Sequence, residues 1–285
     1  MVSSDTSPIV STDWLAEHLD APDLRVLDAS WYLPGSDRDA RAEYEDGHIP
    51  GARFFDIDEI SDAKSDLPHM APPVEKFMSR MRAMGVGDGH RVVVYDGAGL
   101  FSAARVWWLF RHMGKTDVAV LDGGLPKWLA EGRAVEDMPP VVRDRHMTAR
   151  RDAGLVKDVT QVAAASKLGT AQIVDARAAD RFRGEAPEPR PGLRAGHIPG
   201  SRNVPFTMLL NDDQTLKSDD ALRAVFEDAG VDLTRPIITS CGSGVTAAVL
   251  SLALEKIGHR NHALYDGSWA EWGAYDDLKV ATGPA

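Results

Sequence analysis

Pro236-Ile237-Ile238-Thr239-Ser240 runs directly into Cys241-Gly242-Ser243-Gly244-Val245-Thr246, and that loop into Ala247-Ala248-Val249-Leu250. A short apolar, β-branched run, then a cysteine among glycines, then an apolar helix-forming stretch reads as strand, tight loop and helix. Continuous rather than alternating apolar character marks a parallel strand buried on both faces. The carboxyl end of such a strand is where open α/β sheets bind ligands, so Cys241 stands at the functional edge of an α/β domain.

The same pattern occurs earlier in the chain. Arg91-Val92-Val93-Val94-Tyr95 leads into Asp96-Gly97-Ala98-Gly99, with aspartate in the cysteine's place. Working outward, Val26-Leu27-Asp28-Ala29 is echoed by Ile173-Val174-Asp175-Ala176. Gly47-His48-Ile49-Pro50-Gly51 is echoed by Gly196-His197-Ile198-Pro199-Gly200, and Val120-Leu121-Asp122-Gly123 by Leu264-Tyr265-Asp266-Gly267. Asp28 to His48 is 20 residues and Asp175 to His197 is 22; Asp96 to Asp122 is 26 and Cys241 to Asp266 is 25. Landmarks in the same order at near-equal spacing mean two copies of one unit. The expected domains are 1–135 and 159–285, joined by a linker over 136–158. The apolar runs Val92–Val94, Val118–Leu121 and Ile237–Ile238 are the expected strands. Helices are expected over Thr12–Leu19, Val74–Met84, Ser102–His112, Asp220–Ala229 and Val245–Ile257, with Gly114, Gly230 and Gly258 as stop signals. Strand and helix in alternation give each copy a parallel sheet with helices on both faces. The linker's basic residues Arg143, Arg145, Arg150 and Arg151 are expected to be a solvated connector.

Composition narrows the function classes. Lys and Arg number 32 against 43 Asp and Glu, a net charge of −11, which disfavours a partner read through phosphates or an anionic membrane surface. No apolar run approaches the length of a spanning helix. The start, Met1-Val2-Ser3-Ser4-Asp5-Thr6, has neither a basic nor an apolar leader region, so a cytoplasmic protein is expected. One cysteine in the chain excludes an internal disulfide and a cysteine-built zinc site, and no H-E-x-x-H spacing occurs, so neither metal nor organic cofactor is expected.

Cys241 is the chemical signal. Glycines let successive backbone N–H groups turn inward as a nest, and the following helix adds its free N–H ends and positive dipole. Such a cradle stabilises a thiolate, and by the same means a persulfide anion. Cysteine-dependent phosphatases use a similar cradle but close it with an arginine six positions on; here that position is Ala247. The aspartate of the first copy cannot carry sulfur, so one copy works and the other is scaffold.

The twin units, the paired Gly-His-Ile-Pro-Gly segments and the Cys241–Thr246 loop resemble the tandem-domain rhodanese superfamily of sulfurtransferases, with a loop of the 3-mercaptopyruvate type. Thiosulfate-type members carry Arg and Lys after the cysteine; Gly242 and Ser243 take those places here. The resemblance implies that Cys241 is the nucleophile and that Gly242, Gly244, Val245 and Thr246 line the substrate. It places the family's two substrate arginines on Arg181 and Arg190, within Asp180–Arg190, with Arg183 as a surface partner of Glu185 or Glu188. It also implies a relay in which Ser243 is joined by His69 and Asp58. The expected donor is 3-mercaptopyruvate and the expected acceptor a thiol, such as thioredoxin or a small thiol, or cyanide in an assay. Thiosulfate as donor, or a sulfur-carrier module that docks a partner without turnover, are the alternatives. His48 and His197, present in both copies, are expected to be structural, and Trp128, Trp269 and Trp272 to pack at the domain seam.

Overall fold

The structure is a computed structural model and describes residues 7–285; the N-terminal stretch read above for a leader, Met1–Thr6, lies outside them. The described chain divides into two units. The first comprises residues up to Ala63, Pro72–Asp152 and Asp212–Leu216; the second comprises Lys64–Ala71, Ala153–Asn211 and Lys217–Ala285.

The first unit is built on strands β1 (Ile9–Val10), β2 (Leu24–Asp28), β3 (Arg53–Phe54), β4 (Arg91–Tyr95) and β5 (Val118–Leu121), in the order β1-β5-β4-β2-β3 and parallel throughout. Helices α1 (Thr12–His18), α2 (Ala40–Asp46), α3 (Val74–Ala83), α4 (Ala103–His112) and α5 (Gly124–Ala130) connect and flank it. The second unit repeats this with β6 (Val156–Lys157), β7 (Gln172–Asp175), β8 (Arg202–Asn203), β9 (Ile237–Ser240) and β10 (His262–Tyr265), in the order β6-β10-β9-β7-β8. Its helices are α6 (Val159–Leu168), α7 (Ala179–Arg183), α8 (Asp219–Asp228), α9 (Ala247–Lys256) and α10 (Ser268–Trp272). The registers agree: Asp28 pairs with Tyr95 in one sheet and Asp175 with Ser240 in the other.

The central strands carry runs of consecutive apolar residues, such as Val92–Val94, because both faces are covered; β4 is buried along its whole length. The apolar helices α4 and α9 are buried over nine residues each. The edge strands β1, β3, β6 and β8 have only two residues each, too few to leave a sequence signal. Trp128 lies in the core of the first unit with Val93, Tyr95 and Leu121, and Trp269 and Trp272 lie in the core of the second. That corrects the expectation of a seam: each tryptophan packs within its own unit, and its indole N–H donates to a nearby carbonyl, of Ala134, Arg194 and Lys279 respectively.

The two Gly-His-Ile-Pro-Gly segments behave alike. His48 stacks on Tyr44 with ring centroids 4.0 Å apart, and its Nδ1 lies 2.7 Å from the Tyr44 carbonyl. His197 stacks on Phe182 at 3.8 Å, and its Nδ1 lies 2.8 Å from the Phe182 carbonyl. Each also forms an antiparallel bridge, His48 to Glu136 and His197 to Ala281, so both are turn pins. The basic residues of the connecting stretch are exposed, yet its backbone is anchored: Arg150 N–H donates to the Met113 carbonyl, and Met147 is fully buried.

Among the described residues, no helix is long and apolar enough to cross a membrane.

Candidate active site

Strand order decides where the site lies. From β7 the chain goes to β8 on one side, and from β9 to β10 on the other, so the carboxyl ends of these two neighbours form a switch point, the place where open α/β sheets bind ligands. Cys241 follows β9 directly. It is buried, and its Sγ accepts the Gly244 N–H at 3.1 Å. Gly244 has φ +78°, a conformation open to glycine and strained for other residues, and that turn brings its N–H back onto the sulfur. Val245 is buried, and Thr246 stands at the N-cap of α9, where the Ala248 and Val249 N–H groups donate to the Val245 and Thr246 carbonyls at 3.2 and 3.1 Å.

The loop is tied from α10. Ser268 accepts the Cys241 N–H at 3.2 Å and donates to the Tyr265 carbonyl at 2.8 Å. Trp269 and Ala270 N–H groups donate to the carbonyls of Cys241 and Gly242, each at 2.9 Å. Ser268 holds φ +50° to do this, a position the sequence did not signal.

Ser243 and His69 meet in the second unit. His69 Nδ1 lies 3.0 Å from Ser243 Oγ, and both side chains are buried. The segment Lys64–Ala71, which brings His69, is fastened by the Ala71 N–H donating to Asp266 Oδ2 at 2.8 Å. Asp58 is placed in the first unit, where its Oδ2 accepts the Trp31 indole N–H at 3.0 Å.

Arg181, on α7, reaches the cysteine loop. A Cβ on Gly242 would stand 3.3 Å from Arg181 Nη2, so the guanidinium lies against the residue that follows Cys241. Its Nη2 donates to Glu188 Oε2 at 2.5 Å, and its buried Nε has no hydrogen-bond partner among the described residues. Arg190 is half-buried on the same loop, two residues past Glu188. Arg183 points elsewhere and pairs with Glu185 through Nε at 2.8 Å.

Sequence reasoning missed Arg177. Its guanidinium grips Asp175 with Nε and Nη2 and donates through Nη1 to Glu188 Oε1 at 2.6 Å. It also lies over the Trp269 ring at 4.4 Å. Burial works to lower its pKa, but Asp175 and then Glu188 outweigh burial and leave it raised. The available signal was Arg177 standing two residues past the strand-end Asp175, where the first copy has Ser30.

The first unit displays the cradle with an anion in it. Asp96 Oδ2 accepts the N–H groups of Phe101, Ser102 and Ala103 at 2.8 Å each, and Oδ1 accepts that of Ala98 at 2.9 Å. A loop of this design gathers several backbone donors on one negative group. In the second unit the group at that place is the Cys241 thiol. The arrangement can stabilise a thiolate or a negative charge on a sulfur attached to it, and offers a guanidinium and a hydroxyl–imidazole pair to a small acid. Among the described residues, no group of three or more His, Cys, Asp or Glu is disposed to hold a metal ion.

Comparison with known proteins agrees with this geometry. Residues 11–131 and 158–275 each match the rhodanese-like domain. The chain is 48% identical over 276 residues to the 3-mercaptopyruvate sulfurtransferase of Escherichia coli (strain K12), covering 96% of this chain and 98% of that protein. It is 43% identical over 298 residues to the mitochondrial thiosulfate/3-mercaptopyruvate sulfurtransferase 1 of Arabidopsis thaliana, covering 97% of this chain and 79% of that one. The crystal structure of SseA from Escherichia coli, described as showing the rhodanese fold and catalytic mechanism of 3-mercaptopyruvate sulfotransferases, superposes with a TM-score of 0.85 at 45% identity, over 92% of this chain and 99% of that one.

Proposed function

This chain belongs to the rhodanese-like domain family, and from that premise we propose that it is a sulfurtransferase acting on 3-mercaptopyruvate through a persulfide on Cys241. The observation that carries the reading is the buried Cys241 sulfur, with the Gly244 N–H aimed at it and Arg181 beside the next residue.

The Cys241 thiolate attacks the sulfur of 3-mercaptopyruvate. An S–S bond forms, the substrate C–S bond breaks, and its electron pair passes into the enolate of pyruvate, which then takes a proton. Arg181 and Arg190 hold the carboxylate and the ketone oxygen, where charge gathers as the enolate forms. Ser243, with His69 as its hydrogen-bond partner, polarises the same carbonyl. The loop N–H groups then stabilise the terminal sulfur of the persulfide. In the second half-reaction an acceptor thiolate attacks that outer sulfur and the Cys241 thiolate leaves. The acceptor in this reading is thioredoxin or a small thiol, in the cytoplasm, with cyanide serving in the assay.

The name of the Arabidopsis relative favours a second reading, thiosulfate as donor. The uncharged Gly242 and Ser243 argue for the 2-oxo acid, because a dianion calls for fixed positive charge next to the nucleophile. Initial rates with each donor, cyanide as acceptor, test the assignment together with intact mass. Mercaptopyruvate is expected to be preferred and, without acceptor, to add the mass of one sulfur, about 32 Da, to wild type but not to Cys241→Ser. Pyruvate release with an unchanged wild-type mass overturns the covalent route.

A further inference from the structure

The arginine that reaches the cysteine loop is not a free charge. Glu188 lies between two guanidinium groups, with Oε1 accepting from Arg177 Nη1 at 2.6 Å and Oε2 from Arg181 Nη2 at 2.5 Å. The side chains of Asp175, Arg177 and Glu188 are 2%, 1% and 2% exposed, against 21% for Arg181. The four form a chain, Asp175–Arg177–Glu188–Arg181, that starts at the end of β7 and finishes against Gly242. Two guanidinium groups are balanced by two carboxylates, so the chain as a whole carries no net charge. Glu188 also takes one of the donors that Arg181 would otherwise turn toward a bound acid. The unit whose loop begins with Asp96 has Ser30 in the place of Arg177, and Ser30 Oγ there accepts the Gly97 N–H at 2.8 Å.

We infer that Glu188 is a positioning and specificity-determining residue: it fixes the Arg181 guanidinium against the nucleophile loop and cancels enough of its charge to suit a singly charged 2-oxo acid over a dianionic donor. The inference rests on the sulfurtransferase reading above. Its physical content is a difference between donors. Position affects both, whereas a buried compensating carboxylate repels a doubly charged donor more than a singly charged one. A carboxylate that merely balanced the buried Arg177 would move stability and leave donor choice untouched.

The experiment compares wild type, Glu188→Gln and Glu188→Asp with 3-mercaptopyruvate and thiosulfate as donors and cyanide as acceptor. Glu188→Gln keeps the reach and removes the charge, so the ratio of thiosulfate to mercaptopyruvate kcat/KM is expected to rise about tenfold, through KM. Glu188→Asp keeps the charge but is one methylene short of spanning both arginines. It is expected to hold the wild-type donor ratio while raising the mercaptopyruvate KM about fivefold. A folded Glu188→Gln with an unchanged ratio overturns the inference. If that variant does not fold, an unchanged mercaptopyruvate KM in Glu188→Asp overturns it equally. Wild type that transfers sulfur from neither donor defeats the sulfurtransferase reading instead, so the two failures are distinguishable.

Discussion

His69 and Gln214 occupy equivalent places in the two units, and both hold a left-handed backbone, φ +61° and +64°. Two residues past each, a backbone N–H donates at 2.8 Å to the aspartate that follows a strand: Ala71 to Asp266 after β10, Leu216 to Asp122 after β5. Each residue lies against the loop of its unit. His69 reaches Ser243, and Gln214 presses on Gly99, where an added Cβ would stand 2.4 Å away. Left-handed backbone at a side-chain-bearing residue costs roughly 1–2 kcal/mol, so both turns are held in place by their surroundings. One frame carries an imidazole where the loop has Cys241 and an amide where it has Asp96.

That equivalence supplies a mild variant for the Ser243–His69 pair. Gln214 shows that glutamine is accommodated at this backbone geometry, so His69→Gln is expected to fold. If the two side chains act together, Ser243→Ala and His69→Gln each lower kcat for mercaptopyruvate by about 100-fold, and the double variant loses little more than either single one. Steady-state rates of the four proteins check this. Losses that multiply would show that the hydrogen bond has no part in turnover.

The arginines separate by partner. Removing a charged hydrogen bond to substrate costs about 1.5–3 kcal/mol, roughly 10- to 150-fold in kcat/KM. Arg181→Ala and Arg190→Ala are each expected to fall in that range with mercaptopyruvate. Arg183→Ala breaks only a surface pair with Glu185 and is expected to stay within about twofold. Should Arg183→Ala prove the most damaging, the substrate loop is wrongly registered.

Acid sensitivity has an identifiable source in the first unit. Burial, then the charges of Arg25 and Arg145, push the His90 imidazole down to about 4, and its Nδ1 accepts the Gly87 N–H at 2.9 Å. Its pKa in the unfolded chain is near 6.5, so between these values the unfolded chain binds the extra proton. This contribution is complete above pH ~6.5 and is lost as pH falls toward 4. Because much of the ring is solvated, the loss is about 1 kcal/mol rather than the full linkage value. His90→Asn keeps an acceptor that does not titrate. Urea unfolding at pH ~7.5 and ~5 should show a smaller acid loss for the variant than for wild type; equal losses would clear His90 of the effect.

What the sequence made legible was whatever repeats or sits locally. The duplicated landmarks reported two units, the apolar runs reported central strands, and the glycines around Cys241 reported the cradle. Helix bounds differ by one or two residues, as at α9, which begins at Ala247 rather than Val245, because the loop turns through Gly244 first. Long-range features left no trace. Nothing around His69 says that Lys64–Ala71 folds with residues 174 and 195 positions on, since the contacts that hold it are made by Ser243 and Asp266. Glu188 looked like one more acid on an exposed loop, and only the fold brings it between Arg177 and Arg181. Ser268 was hidden for a simpler reason: a strained backbone angle has no compositional signature except at glycine.

The membership of Lys64–Ala71 in the second unit sets where this chain can be divided. A gene cut in the connecting stretch would yield a C-terminal fragment that keeps Cys241, Arg181 and Glu188 but lacks His69 and the backbone donor to Asp266. The N-terminal fragment would lack Gln214 and the donor to Asp122. Tandem duplication has therefore not left two interchangeable modules. Each half of the gene encodes a small part that the other half's fold requires, so truncation, domain shuffling or a fusion made at the apparent boundary would break both, whereas an insertion within the exposed part of the linker would break neither.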